Sequence, residues 1–268
     1  MGRTVEQEPI DLGEAHGFAL EAVKLAARLL TEARGRVGEI RVKDGGDLTT
    51  SIDLEIEEAI KHLIRERYPK DSFHGEETGE EILGEYLWVV DPLDGTKHYA
   101  RGLRHYFVSM ALLRGREPVV GVVVNPPTGD VYSAVRGRGA FKNGVPIHVS
   151  ERTMGEAMMY VEWPTGKVDR EIRHRRFRQA ALLTDRIYRL RGMGSIIDGV
   201  CDVAAGGWDA YIDFSGTTKF TDTPAAVLIA EEAGARVTDL NGAIPKRPQD
   251  GIVISNGVIH EQILAILR

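Results

Sequence analysis

Residues 11–34, DLGEAHGFALEAVKLAARLLTEAR, carry Phe18, Val23, Ala26, Ala27 and Leu30 at the three-and-four spacing of one helix face. Arg34-Gly35 ends that pattern. A second helical pattern runs over 53–68, with Leu54, Ile56, Ala59, Ile60, Leu63 and Ile64 on its apolar face and Pro69 as its stop. Between the two, VKDGGDLTTSID holds the pair Gly45-Gly46, which marks a loop. SFHGEE and YLWVVD read as strands that each end in acids. HYFVSMALLRG, EPVVGVVVNPPTGD and VYSAVRG give three more strand signals, with NPPTGD as a turn, and predict antiparallel pairing. After residue 150 the pattern changes. Helical RFRQAALL, GSIIDGVCDVAAGG, DTPAAVLIAEEAG and HEQILAIL interleave with the short strands RIYRL, DAYID, ARVTD and GIVIS, which predicts an α/β arrangement. The chain therefore divides into an α+β part, residues 1–150, and an α/β part, residues 151–268, that share a soft boundary.

At 268 residues the chain is long enough to bury a substantial core. Its net charge of −6 disfavours nucleic acid as a non-specific partner but leaves a small anionic substrate open. Cys201 is the only cysteine, so no internal disulfide forms, and in a helix rich in small apolar residues it reads as an inert core thiol. The apolar stretches are strand-sized, and MGRTVEQEPIDLGEAHG has no apolar signal core. A cytoplasmic protein with no membrane partner is the expectation.

The chemistry concentrates in acids at the edges of elements. Asp47 and Asp53 flank the Gly-Gly loop, Glu76-Glu77 follows Gly75, Asp91 and Asp94 bracket Pro92, and Asp222 opens a helix. Individually, Asp53 and Asp222 read equally well as helix caps, and Glu76-Glu77 as a solvated turn. Asp91 resists such a reading, because it follows the buried-looking run Leu87-Trp88-Val89-Val90. Buried carboxylates require a partner, a proton or a metal. Together the acids suit a hard divalent cation such as Mg²⁺, with substrate phosphate completing its sphere. Gly95-Thr96 then offers backbone N–H groups to phosphate at a helix start. The order Asp-x-x-Asp-Gly-Thr differs by one residue from the Asp-x-Asp-Gly-Thr of phosphatases with an aspartyl nucleophile. That extra residue takes the first carboxylate off the shared strand face, which argues against a covalent phosphoenzyme.

The segment DPLDGT at 91–96, with DLTTSID, GEE and TDTPAAVLIAEEAG in the same order, resembles the signature set of the inositol monophosphatase superfamily. The resemblance covers nearly the whole chain. It implies a layered α-β-α-β-α sandwich of the sugar phosphatase type and Mg²⁺-dependent, lithium-sensitive hydrolysis of phosphomonoesters by direct attack of metal-activated water. It implies two or three Mg²⁺ ions. Glu76, Asp91 and the Leu93 carbonyl would hold one, Asp91, Asp94 and Asp222 a second, and a third would sit near Glu76. Thr96, oriented by Asp53, would position the water, with Glu77 among the catalytic acids. Lys43, Asp44, Gly45, Gly46 and Asp47 would form a mobile loop. Asp94, Gly95, Thr96, Gly194, Ser195, Asp213 and Asp222 would contact substrate, and Arg191 would meet a phosphate or pair with an acid. A homodimer is the family expectation.

Three positions depart from the family pattern: Thr221 replaces a tryptophan, Gly234-Ala235 a Gly-Gly, and Gly194-Ser195-Ile196 a Gly-Thr-Ala. They bear on substrate choice. FSGTTKFTD is similar to the archaeal-type branch that accepts both inositol phosphates and fructose 1,6-bisphosphate, so myo-inositol 1-phosphate leads and the bisphosphate follows. Lys97 is similar to the DPLDGTK of 3′(2′),5′-bisphosphate nucleotidases, where it would meet a second phosphate. Histidinol-phosphate phosphatases share the fold, and a metal-binding regulatory module is the non-enzyme alternative. His74, His98 and His105 lie near the acids, but imidazole is not what Mg²⁺ prefers. The basic run REIRHRRFR reads as a solvated helix face or subunit edge.

Overall fold

The computed structural model describes residues 9–33, 40–42, 48–246 and 250–268. The expected mobile segment Lys43–Asp47 lies outside the described residues. The chain opens with α1 (Leu12–Glu32), whose first turn is capped by the Asp11 carboxylate, which accepts from the N–H groups of Gly13 and Glu14. A hairpin of β1 (Ile40–Val42) and β2 (Leu48–Thr50) leads into α2 (Ser51–Arg67). Then follow β3 (Ser72–Gly75), β4 (Gly79–Glu81), β5 (Tyr86–Asp94), the one-turn α3 (Thr96–Ala100), β6 (Phe107–Arg114), β7 (Glu117–Asn125), β8 (Asp130–Val135), β9 (Ala140–Lys142) and β10 (Val145–Ile147). The rest comprises β11 (Met158–Glu162), α4 (Arg170–Thr184), β12 (Arg189–Arg191), α5 (Ile196–Ala204), β13 (Ala210–Asp213), α6 (Pro224–Glu232), β14 (Arg236–Thr238), β15 (Val253–Ser255) and α7 (His260–Leu267).

The strands form an eight-stranded sheet, β10-β9-β8-β7-β6-β5-β3-β4, and a five-stranded sheet, β12-β11-β13-β15-β14. The first is antiparallel except where β3 runs parallel to β5. In the second, β11 is parallel to both its neighbours. Alternation along the strands separates three cores. Val108, Met110 and Leu112 of β6 face α1 and α2, while Phe107, Ala111 and Leu113 face the other way. That second face meets α5 and α6, which also receive Tyr160 of β11, Tyr211 of β13 and Ile254 of β15. The opposite face of the second sheet, with Met159, Val161, Ile212 and Val253, packs on α4 and α7. The result is the layered α-β-α-β-α sandwich.

The helix faces deviate from the sequence pattern in one informative way. Helix α2 starts at Ser51, two residues earlier than its apolar spacing predicts, because Thr50 and Asp53 cap it. Its buried face carries Ile52, Ile56, Ile60 and Ile64 together with Asp53 and Glu57, and Leu54 is left exposed. Two carboxylates thus occupy positions an ordinary amphipathic helix would fill with aliphatics. The short strands β1, β2, β4, β9 and β10 have three residues each, too few for a readable two-residue period. The interior strand β11 is buried on both faces and shows no alternation.

Helix α6 crosses the first sheet at Gly121 of β7, where a Cβ would lie 2.8 Å from the Ala225 carbonyl oxygen. Gly121→Val should therefore lower the unfolding free energy by about 1–3 kcal/mol through overpacking, although strand propensity alone favours valine. Urea unfolding midpoints measure this. An unchanged or raised midpoint would show that α6 has room to yield.

Candidate active site

Strand β5 delivers the central pair of acids. Its pairing with β6 is regular through Asp91, then shifts register before Asp94. Pro92 has no N–H for the ladder, and the Asp91 carboxylate accepts from the Leu93 N–H at 2.9 Å. In a regular strand, residues three apart point to opposite faces. This irregularity brings Asp91 and Asp94 to the wall of one cavity. Gly95 then turns the chain with φ of 83°, where a Cβ would sit 2.5 Å from the His105 carbonyl oxygen, so only glycine fits. Thr96 opens α3, and its hydroxyl donates to the Leu93 carbonyl at 3.0 Å.

Two further segments converge on this turn. Glu76 follows β3, and its N–H donates to the Val90 carbonyl beside Asp91. Asp222 precedes Thr223, the residue that actually occupies the cap position of α6. Carboxylate oxygens of Glu76, Asp91 and Asp222 lie within 4.8 Å of one another. The Thr221 hydroxyl donates to Asp222 at 3.1 Å. The Lys219 ammonium donates to Glu76 at 2.7 Å, and the Lys219 N–H donates to Asp222 at 2.9 Å. Ser195, capping α5, gives its hydroxyl proton to Asp94 and accepts from the Asp198 N–H.

Burial and mutual repulsion govern the charge of Asp91, Asp94 and Asp222. Asp91 is pushed well above the ordinary carboxylate range by burial, then by Glu76, Asp94 and Asp222. Asp94 rises for the same reasons, with Asp222 its main repelling neighbour and the Ser195 hydroxyl working against the shift. Asp222 is raised to about 7 by burial and Glu76, with Lys219 opposing. Asp53 is raised to about 6, chiefly by burial. Like charges this close cannot all ionise without a cation. The donors are all oxygens, and the acids come from separate segments around one cavity of about 660 Å³. That donor set fits a hard divalent ion such as Mg²⁺.

Glu76, Asp91, Leu93, Asp94, Gly95, Thr96, Gly194, Ser195 and Asp222 all line the cavity. Asp53 does not join Thr96: its carboxylate accepts from the Thr50 N–H at 2.7 Å and the Thr50 hydroxyl at 2.5 Å. Glu77 presents its backbone to Glu57, which accepts from the N–H groups of Glu77 and Thr78 at 2.8 and 2.6 Å. Asp213 is buried and taken up by the Ser215 N–H and the Thr218 hydroxyl, and it does not reach the cavity wall. Arg191 is exposed, donates to the Leu190 carbonyl and also lies outside the wall. Sequence reasoning missed Glu57, Glu162, Lys167 and Lys219. Glu57 carries a legible signal, since it stands four residues after Asp53 on one helix face. Lys219 stands three before Asp222 in the same motif. Glu162 ends a strand that showed no pattern at all.

A family model described as the inositol monophosphatase family matches residues 11–268. An inositol monophosphatase of Mesembryanthemum crystallinum is 32% identical over 264 residues, covering 97% of each chain. A fructose-1,6-bisphosphatase/inositol-1-monophosphatase of Thermotoga maritima is 31% identical over 260 residues, covering 94% of each. Among solved structures, the extragenic suppressor protein suhB of Bartonella henselae superposes with a TM-score of 0.89 at 26% identity, over 95% of this chain and 98% of that one.

The raised acids fix a pH dependence. A carboxyl whose folded pKa exceeds its unfolded value binds more protons when folded, so its contribution is present at low pH and is lost as pH rises. For Asp222 the loss runs from about 4 to about 7, and Asp53 adds to it up to about 6. Chelator-treated protein should therefore melt several degrees lower at pH 8 than at pH 5, and added Mg²⁺ should restore the difference at pH 8. Calorimetric scans across that range test it, and a melting temperature that climbs with pH would contradict the charge assignment.

Proposed function

Because this chain belongs to the inositol monophosphatase family and is a phosphoric monoester hydrolase, we propose that it hydrolyses a small sugar or polyol phosphate with Mg²⁺, myo-inositol 1-phosphate first and fructose 1,6-bisphosphate second. One observation carries the reading: acids from three separate segments, Asp91 buried and the others half-buried, converge and repel one another on one cavity beside Gly95-Thr96. In this reading Glu76, Asp91, Asp94, Asp222 and the Leu93 carbonyl hold two or three ions. When bound, Mg²⁺ supplies positive charge to both the attacking and the leaving oxygen of an in-line displacement.

The chain's own groups do the positioning. The first N–H groups of a helix have no partner within it, so Gly95 and Thr96 seat the phosphate. The Thr96 hydroxyl gives its proton to the Leu93 carbonyl. Its lone pairs are then turned outward to accept from the attacking water. Asp94, pinned by Ser195, is kept from swinging away from the cavity. Asp53 holds the start of α2, and Glu57 on the same helix face fixes the turn that carries Glu76. The departures at Thr221 and Gly194-Ser195-Ile196 leave these acids in place and alter the surroundings of the substrate. Nucleic acid stays outside the proposal on net charge, and a homodimer is retained from the family likeness.

Phosphate release from inositol 1-phosphate, fructose 1,6-bisphosphate, adenosine 3′,5′-bisphosphate and histidinol phosphate, each with and without chelator, tests the assignment. Chelator-sensitive release favouring the first two is expected. Release confined to the nucleotide would move the chain to the nucleotidase reading. Mg²⁺ binding without release from any ester would point to a regulatory module. Asp94→Asn should lower the rate by more than about 10²-fold, and near-normal turnover by that variant would contradict the site.

A further inference from the structure

The cavity wall holds one more carboxylate, near enough to Asp94 to repel it, that the hydrolytic machinery does not use. Glu162 ends β11 and lines the cavity, and its Oε2 is buried with no hydrogen-bond partner. The sequence points instead to Asp213, the direct neighbour of Glu162 in the parallel β11–β13 register. Asp213 is spoken for by Ser215 and Thr218. Of this adjacent acid pair, therefore, only Glu162 faces the substrate space. We propose that Glu162 is a specificity residue that accepts hydrogen bonds from the hydroxyl groups of a polyhydroxylated substrate. This proposal rests on the sugar or polyol phosphatase reading given above.

Three observations support hydroxyl recognition over alternatives. A partnerless buried acceptor leaves a strong hydrogen-bonding site open, and a neutral hydroxyl fills it without adding charge. Lys97, the residue that would otherwise meet a second phosphate, is close enough to Glu162 for its charge to act on that carboxyl. A carboxylate beside the lysine offsets the attraction a phosphate would feel there. Burial and Asp213 push Glu162 upward, and a carboxyl group can accept from one hydroxyl and, when protonated, donate to another. Vicinal hydroxyls can satisfy both. An acid kept in this state lowers stability in the free protein, which a purely structural residue would not do.

The test compares inositol 1-phosphate with para-nitrophenyl phosphate, which carries the phosphate without ring hydroxyls. Glu162→Leu should lower kcat/KM for inositol 1-phosphate, mainly through KM, by about 10-fold or more beyond any loss on para-nitrophenyl phosphate. Glu162→Gln, which keeps the shape and one acceptor, should fall between Glu162→Leu and the native enzyme. Glu162→Leu should melt at or above the native temperature, because the buried Oε2 with no hydrogen-bond partner is gone. Equal losses on both substrates, an unchanged KM for inositol 1-phosphate, or melting of Glu162→Leu several degrees below native would each overturn the assignment. If the native protein released phosphate from neither compound, the polyol phosphatase reading itself would fail, an outcome separate from the other three.

Discussion

Repulsion among closely gathered carboxylates is the constraint on which this structure turns. Asp91, Asp94, Asp222 and Glu76 are drawn into one small volume by segments that pack well for other reasons. Packing alone would not tolerate the arrangement. The protein answers it locally, with the Lys219 ammonium on Glu76, the Ser195 hydroxyl on Asp94 and the Thr221 hydroxyl on Asp222. These partners hold the geometry but do not neutralise it. Asp91, Asp94 and Asp222 stay raised, and their unsettled charge suits the site to a divalent cation.

The architecture supplies the rigidity such a site requires. Strand β5 is buried along nearly its whole length before it breaks register at Asp91. Helix α6, which follows Asp222 directly, lies against the same sheet at Gly121 with no space for another methyl group. A cluster of apolar residues from both sheets, with α5 and α6 between them, locks these two contributors to each other. The acid set is thus tied to the middle of the sandwich and not to an exposed loop.

Much of this was legible in the sequence because it rests on local patterns. The helix periodicities of α1, α5, α6 and α7 and the apolar runs of β5 to β8 survive in the structure nearly as read. The acids at 76, 91, 94 and 222 were marked by their places at element edges. What could not be read depends on tertiary context. The shift of register at Pro92 decides that Asp91 and Asp94 share a cavity, and no spacing rule announces it. Asp53 directs its Oδ2 to Thr50, and no hydrogen bond joins it to Thr96. Asp213 and Glu162 are neighbours across strands, separated by fifty residues of chain. Which one faces the cavity is set by whether Ser215 and Thr218 fold back on Asp213.

The cavity wall divides unevenly along the chain. Glu76 and the run from Asp91 to Arg101 form one side, while Glu162, Thr165 to Lys167, Gly194 to Ile196 and Ser215 to Lys219 form most of the other. Apart from Asp222, the groups that hold charge and phosphate come from the first set. Within the second set, Ser195 and Lys219 bond the acids, so substitutions at its other positions can reshape what the pocket admits without touching those bonds. A lineage built on this frame can drift from one phosphorylated metabolite to another by altering a few loop positions. That separability gives a physical basis for relatives that carry different activities over a common scaffold.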